Sequence, residues 1–211
     1  MSRRLLLLAA LGTVHAETLD AQVRPSAALT ANQVRVRSDL PDVTERLGGA
    51  AFGLELALRR GIVRMELEYR EANLSAGAPV TMARDMSEGA VQFGIQPASL
   101  LYIAAGVHRR HFETAVGAQR WTLWELTVRA QHTLVADLAH GYVELRPVLS
   151  GVTTAAGSWG SGLGGEAGLR VQLPGLPISL RLGYQIERYR LDDGGRTETT
   201  DGIAIALAIA R

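Results

Sequence analysis

Residues Gly162 to Leu191, GLGGEAGLRVQLPGLPISLRLGYQIERYRL, decide the fold. In the first arm Gly165, Ala167, Leu169, Val171 and Leu173 fall on one face, and Gly164, Glu166, Gly168, Arg170 and Gln172 on the other. A period of two over such a length is the signature of a β-strand. After the proline-marked connection at Pro174 to Pro177 the period resumes. Ile178, Leu180, Leu182, Tyr184 and Ile186 then oppose Ser179, Arg181, Gly183, Gln185 and Glu187. Two alternating arms joined this way predict an antiparallel hairpin suited to a barrel wall.

Working outward, the same unit recurs. Phe52 to Leu58, Val63 to Tyr69, Val91 to Ile95, Leu101 to Val107, Trp124 to Ala130, Val143 to Leu149 and Ile203 to Ile209 each alternate apolar with polar or small residues. Pro147 interrupts the hydrogen-bond donors of its strand, since proline has no N–H to give to a ladder. A weaker alternation, Gln33 to Arg37, precedes them all. Polar stretches at Ala72 to Ser87, Arg109 to Arg120, Gly151 to Ser161 and Asp192 to Gly195 read as long loops. The connections at Arg60-Gly61, Pro97 to Ser99, Asp137 to Gly141 and Pro174 to Pro177 read as short turns. Long and short connections in alternation predict an all-β, up-and-down antiparallel barrel, with turns at one rim and loops at the other. Nine strands are clear. If both chain ends lie at the turn rim, the Gln33 alternation makes a tenth; eight, with the first pair outside the barrel, is the alternative.

Composition narrows the class. The 211 residues suit one barrel domain. Charged residues are 20% and apolar ones 47%, with a formal net charge of +1, which argues against both disorder and a nucleic-acid partner. There is no lysine, so all 22 basic residues are arginine, a bias that carries no functional weight. There is no cysteine, which removes disulfides, thiol catalysis and thiolate metal sites. Arg3 and Arg4, the apolar run from Leu5 to Val14, and Val14-His15-Ala16 follow the grammar of a secretory signal peptide. Residues 1–16 are therefore expected to be a signal, with cleavage after Ala21 the alternative. Residues 17–32 are then an N-terminal segment and 33–211 the barrel. Losing residues 1–16 moves the formal charge from +1 to −1.

Period alone admits a membrane barrel with apolar residues outward or a soluble, periplasmic ligand-binding barrel with apolar residues inward. Arms of about nine to eleven residues match a tilted strand crossing a bilayer. The polar faces mix charges with glycine and alanine, which a narrow interior needs. Tyr69, Trp124 and Tyr184 sit on apolar faces near the loop rim, where amphipathic rings favour a membrane interface. The membrane barrel is the expectation.

With its signal peptide, lack of cysteine and alternating strands, the chain resembles the small outer-membrane β-barrel proteins of Gram-negative bacteria, over Gln33 to Arg211. The resemblance implies location in the outer membrane, insertion by the barrel-assembly machinery, and a monomer among outer-membrane lipids. Many such proteins end in an aromatic residue, whereas this chain ends in Leu207 to Arg211. Recognition would then use the apolar alternation of the last strand.

Candidate chemistry is sparse. Glu66, Glu68, Glu125, Glu144, Glu166 and Glu187, with Arg64, Arg70, Arg129, Arg146, Arg170 and Arg181, are expected to face the lumen as ion pairs, because confined charges must be paired to offset desolvation. His108 and His111, two residues from Glu113, fall on opposite faces of a strand and make no metal site. Gly160 to Gly165 lacks the following helix that a phosphate loop requires. No catalytic residue, metal or cofactor is assigned. The expected role is non-enzymatic, in envelope structure, adhesion or surface binding. A narrow porin-like channel and a lipid- or peptide-processing enzyme are the alternatives. At the loop rim Arg109, Arg110, Arg188 and Arg190 are the candidates for binding anionic lipid headgroups, lipopolysaccharide phosphates included, since a guanidinium grips phosphate at two points.

Overall fold

The computed structural model describes residues 23–77, 82–115, 117–136, 138–155, 157–192 and 195–210, so the expected signal peptide lies outside them. Ten antiparallel strands form one sheet closed on itself, each strand paired with its sequence neighbours and β1 with β10. The strands are β1 (Arg24–Asp39), β2 (Thr44–Arg60), β3 (Val63–Ala76), β4 (Arg84–Ala98), β5 (Leu101–Thr114), β6 (Gly117–Val135), β7 (Ala139–Thr153), β8 (Trp159–Gln172), β9 (Ile178–Leu191) and β10 (Thr197–Ala210). Closure leaves no unpaired edge. The tenth strand is the one marked by the Gln33 alternation, but pairing with β2 and β10 begins earlier, at Arg24 and Ser26.

The connections correct one expectation. β3 continues to Ala76, and β5 and β6 are separated only by residues 115–116. Ala72 to Ser87, Arg109 to Arg120 and Gly151 to Ser161 are therefore mostly strand, and the difference in connection length between the rims is small. The physical reason is an inversion of pattern along most of the strands. Toward the turn rim the outward residues are apolar: Leu56, Leu67, Val91, Leu169, Leu182 and Ile205 are all exposed or half-buried on the outer wall. Toward the loop rim the outward residues become Glu71, Asn73, Arg109, Arg188 and Arg190, while the inward ones become apolar. Polar residues interleaved with apolar ones on the opposite phase resemble loops when only the outer belt is followed.

Strand length fits this two-part wall. Strands of 14 to 19 residues exceed the roughly 9–11 that a tilted strand needs to cross a bilayer. The surplus projects past the apolar belt at the loop rim. Two irregularities tune the wall there. The register shifts between Trp124 and Glu125 opposite Val148 to Ser150, just after Pro147, and again between Trp159 and Ser161. These bulges re-aim neighbouring side chains, and Trp159 turns inward as a result.

Candidate functional site

The lumen is built in two layers. The layer near the loop rim is apolar: Val34, Val36, Leu47, Leu74, Met86, Phe112, Trp121, Leu123, Tyr189 and Leu191 pack into one cluster inside the barrel. Three rings lie at its centre. Trp121 meets Trp159 edge-on at 6.3 Å, and Tyr189 lies 5.9 Å from Trp121 and 5.8 Å from Trp159. Aromatic pairs prefer such tilted and edge-on geometries at these separations. Sequence reading missed this layer, although a signal existed. Phe112 follows Arg110 on one face, Tyr189 follows Glu187, and Trp121 precedes Glu125 by an even step, so each ring shares the phase of a lumenal charge.

The second layer is ionic and begins directly beneath. Arg110, whose side chain is wholly inaccessible, pairs with Glu88 of the adjacent strand and Glu187 of β9, and lies 3.6 Å from Glu198 of β10. Its guanidinium also lies 5.2 Å from the Tyr189 ring centre and 5.9 Å from that of Phe112, which joins the two layers. Arg70 pairs with Glu88, and Arg146 reaches Glu187 at 3.1 Å. The Tyr189 hydroxyl donates to Glu187 at 3.1 Å. His108 is buried with its Nδ1 3.3 Å from Glu125.

Further toward the turn rim Arg129 bridges Glu144 at 2.5 Å and Glu66 at 3.0 Å, and Arg64 also meets Glu66, at 2.6 Å. Arg181 pairs with Glu55 and lies 3.7 Å from Glu166, to which the Tyr142 hydroxyl donates. The wall opposite these bulky groups is small. A Cβ on Gly168 or Gly183 would collide with the Tyr142 hydroxyl, so only glycine leaves room for that ring.

The lumenal acids and arginines expected from the sequence thus point inward, and most are paired. Glu68 and Arg170 also face the lumen but have no salt-bridge partner among the described residues. What space remains is a cavity of about 50 Å³ lined by Glu55, Glu68, Arg170 and Arg181 among others, and one of about 150 Å³ nearer the turn rim, lined by Ser26, Glu66, Arg129 and Ala206 among others.

The four headgroup candidates do not lie together. Arg109, Arg188 and Arg190 are exposed on the outer wall. Arg110 is inside the barrel at 1% exposure and cannot reach a lipid. The loop expected over Arg109 to Arg120 is mostly strand, and by parity with His108 and Phe112 Arg110 belongs to the inner face. His108 and His111 do face opposite sides, and Glu113 is exposed on the outer wall.

The barrel is similar in architecture to solved outer-membrane proteins of Gram-negative bacteria. Against Neisserial surface protein A the identity is 10% and the TM-score 0.39, over 87% of this chain and 96% of that one. Against the translocator domain of the autotransporter NalP from Neisseria meningitidis the identity is 14% and the TM-score 0.42, over 98% and 93%. LpxR from Salmonella typhimurium gives 10% and 0.34, over 85% and 99%. These are likenesses of strand arrangement, and no role is taken from them. No protein-family model and no curated protein sequence matches the chain.

Proposed function

We propose that the protein is a non-enzymatic barrel of the outer membrane, closed to ion flow, that serves envelope structure or surface binding. The observation that carries this reading is the filling of the lumen by the aromatic cluster and, below it, the Arg110 network. Barrels of about this size hold side chains, whereas an aqueous channel needs a wider ring of strands. Glu66, Glu88, Glu144 and Glu187 each hold an arginine of another strand, so these lumenal acids are engaged in ion pairs rather than poised against a substrate. The apolar belt, with Tyr69, Trp124 and Tyr184 exposed toward its loop-rim edge, supports the membrane address. Surface binding would use the polar collar above the belt, where Arg109, Arg188 and Arg190 face outward toward lipid headgroups.

The test has two parts. Fractionation should recover the protein in the outer membrane, released only by detergent; recovery as a soluble periplasmic protein overturns the address. In planar bilayers the purified protein should give no sustained conductance. Steady single-channel steps would overturn the closed lumen and favour the narrow channel.

A further inference from the structure

The outer wall has a cleft of about 490 Å³ over β2 to β5. Its floor is Gly89, which lies in register between Tyr69 of β3 and Arg109 of β5. All three positions face outward, so the missing side chain leaves a gap in a row whose other members are large. Toward the turn rim Leu67, Val91 and Val107 continue the cleft as an apolar trough that merges with the belt. Toward the loop rim it ends at Arg109, which makes no ion pair among the described residues. The nearest outward acid on β3, Glu71, is occupied by the Tyr69 hydroxyl. The trough is not shut by backbone: a Cβ built on Gly89 meets nothing nearer than 3.7 Å.

We infer that this cleft binds one acyl chain of a net-anionic phospholipid, with the phosphate on Arg109. The inference rests on the membrane reading above and gives it a specific occupant. An apolar trough opening onto the belt is bathed in acyl chains, and a cation at its headgroup end selects among lipids by charge. A guanidinium suits this task because it stays charged and offers two parallel N–H groups to a phosphate. The Tyr69 ring forms the other side wall.

The test uses the full barrel in detergent, titrated with dioleoylphosphatidylglycerol or dioleoylphosphatidylcholine and read by native mass spectrometry. The wild type should retain one phosphatidylglycerol about tenfold more strongly than phosphatidylcholine, the discrimination expected of one charge-assisted contact. Arg109→Gln should abolish the preference while still retaining either lipid. Gly89→Leu should fill the trough and exclude both, with the unfolding midpoint showing that the barrel remains intact. Arg60→Gln, which removes an exposed cation at the opposite rim, should change neither. Equal retention of the two lipids by the wild type overturns the inference. So does a preference that survives both Arg109→Gln and Gly89→Leu, or one lost only in Arg60→Gln. Conductance is measured independently, so an empty cleft and an open lumen are separate results.

Discussion

Arg110 of β5 is bonded to Glu187 of β9 across the lumen, and the same guanidinium holds Glu88 beside it. Two walls far apart around the barrel are thereby tied at one point. Arg110 also covers the Tyr189 ring, so the ionic layer and the aromatic layer share a residue. Removing a single partner from such a cluster leaves charges buried without compensation, which costs more than the cluster itself contributes.

Arg110→Leu should therefore destabilise the barrel by about 3–5 kcal/mol, the range for breaking a buried pair from one side. Unfolding in detergent micelles, followed by circular dichroism, measures it. Adding Glu187→Leu should recover part of the loss, because Arg146 still has Glu144 at 3.4 Å. A double variant as unstable as the sum of the two singles would show that Arg110 and Glu187 are not coupled.

The aromatic layer makes a different prediction. Trp121→Ala removes the ring that meets both Trp159 and Tyr189 and should cost about 3–5 kcal/mol as a large-to-small change in a packed core. It should not open a conducting path, since the arginine and glutamate network fills the lumen beneath. Conductance appearing in Trp121→Ala alone would place the whole seal in the aromatic layer.

The belt was legible in the sequence because its alternation is unbroken where the outer wall is apolar, as from Ile178 to Ile186 and from Ile203 to Ile209. The lumenal charges followed from phase alone. The upper wall was not legible because there the same phase carries the opposite chemistry: Val34 and Val36 occupy the face that Thr30 and Asn32 hold lower down. The extra residues at Leu149 on β7 and Gly160 on β8 shift the phase itself, and no period-two pattern can announce them. The Gly89 cleft lay deeper still, since it depends on which residues of three strands come into register.

Belt position can be checked by introducing charge on its outer face. Leu182 faces outward, in register with Leu169 on β8 and Ile205 on β10, amid apolar neighbours. Leu182→Arg should cost about 2–4 kcal/mol in lipid, the range for an arginine at the bilayer midplane, whereas Leu176→Arg in the connection at the turn rim should cost about 0–1 kcal/mol. Folding titrations in lipid vesicles give both values. Equal costs would mean that the two positions lie at the same depth, contrary to the belt described here.

The connection between β1 and β2 lies beyond the belt and carries the clearest pH response. The Thr44 hydroxyl donates to the Asp39 carboxylate at 2.8 Å, and Arg37 Nε does so at 2.9 Å. Both bonds favour the charged form, the threonine more than the arginine, and hold the Asp39 pKa below its ordinary value. A carboxyl with a depressed folded pKa stabilises the fold at pH values above its unfolded pKa, and that contribution is lost as pH falls through the folded one. The turn should therefore be firmest at neutral pH and loosen only in acid, below the ordinary aspartate range. Amide hydrogen exchange across residues 39–44 as a function of pH reads this locally, free of the deeper network. Thr44→Val should move the transition upward, toward an ordinary aspartate. A transition that stays in place in Thr44→Val would show that Arg37 alone sets the Asp39 carboxylate.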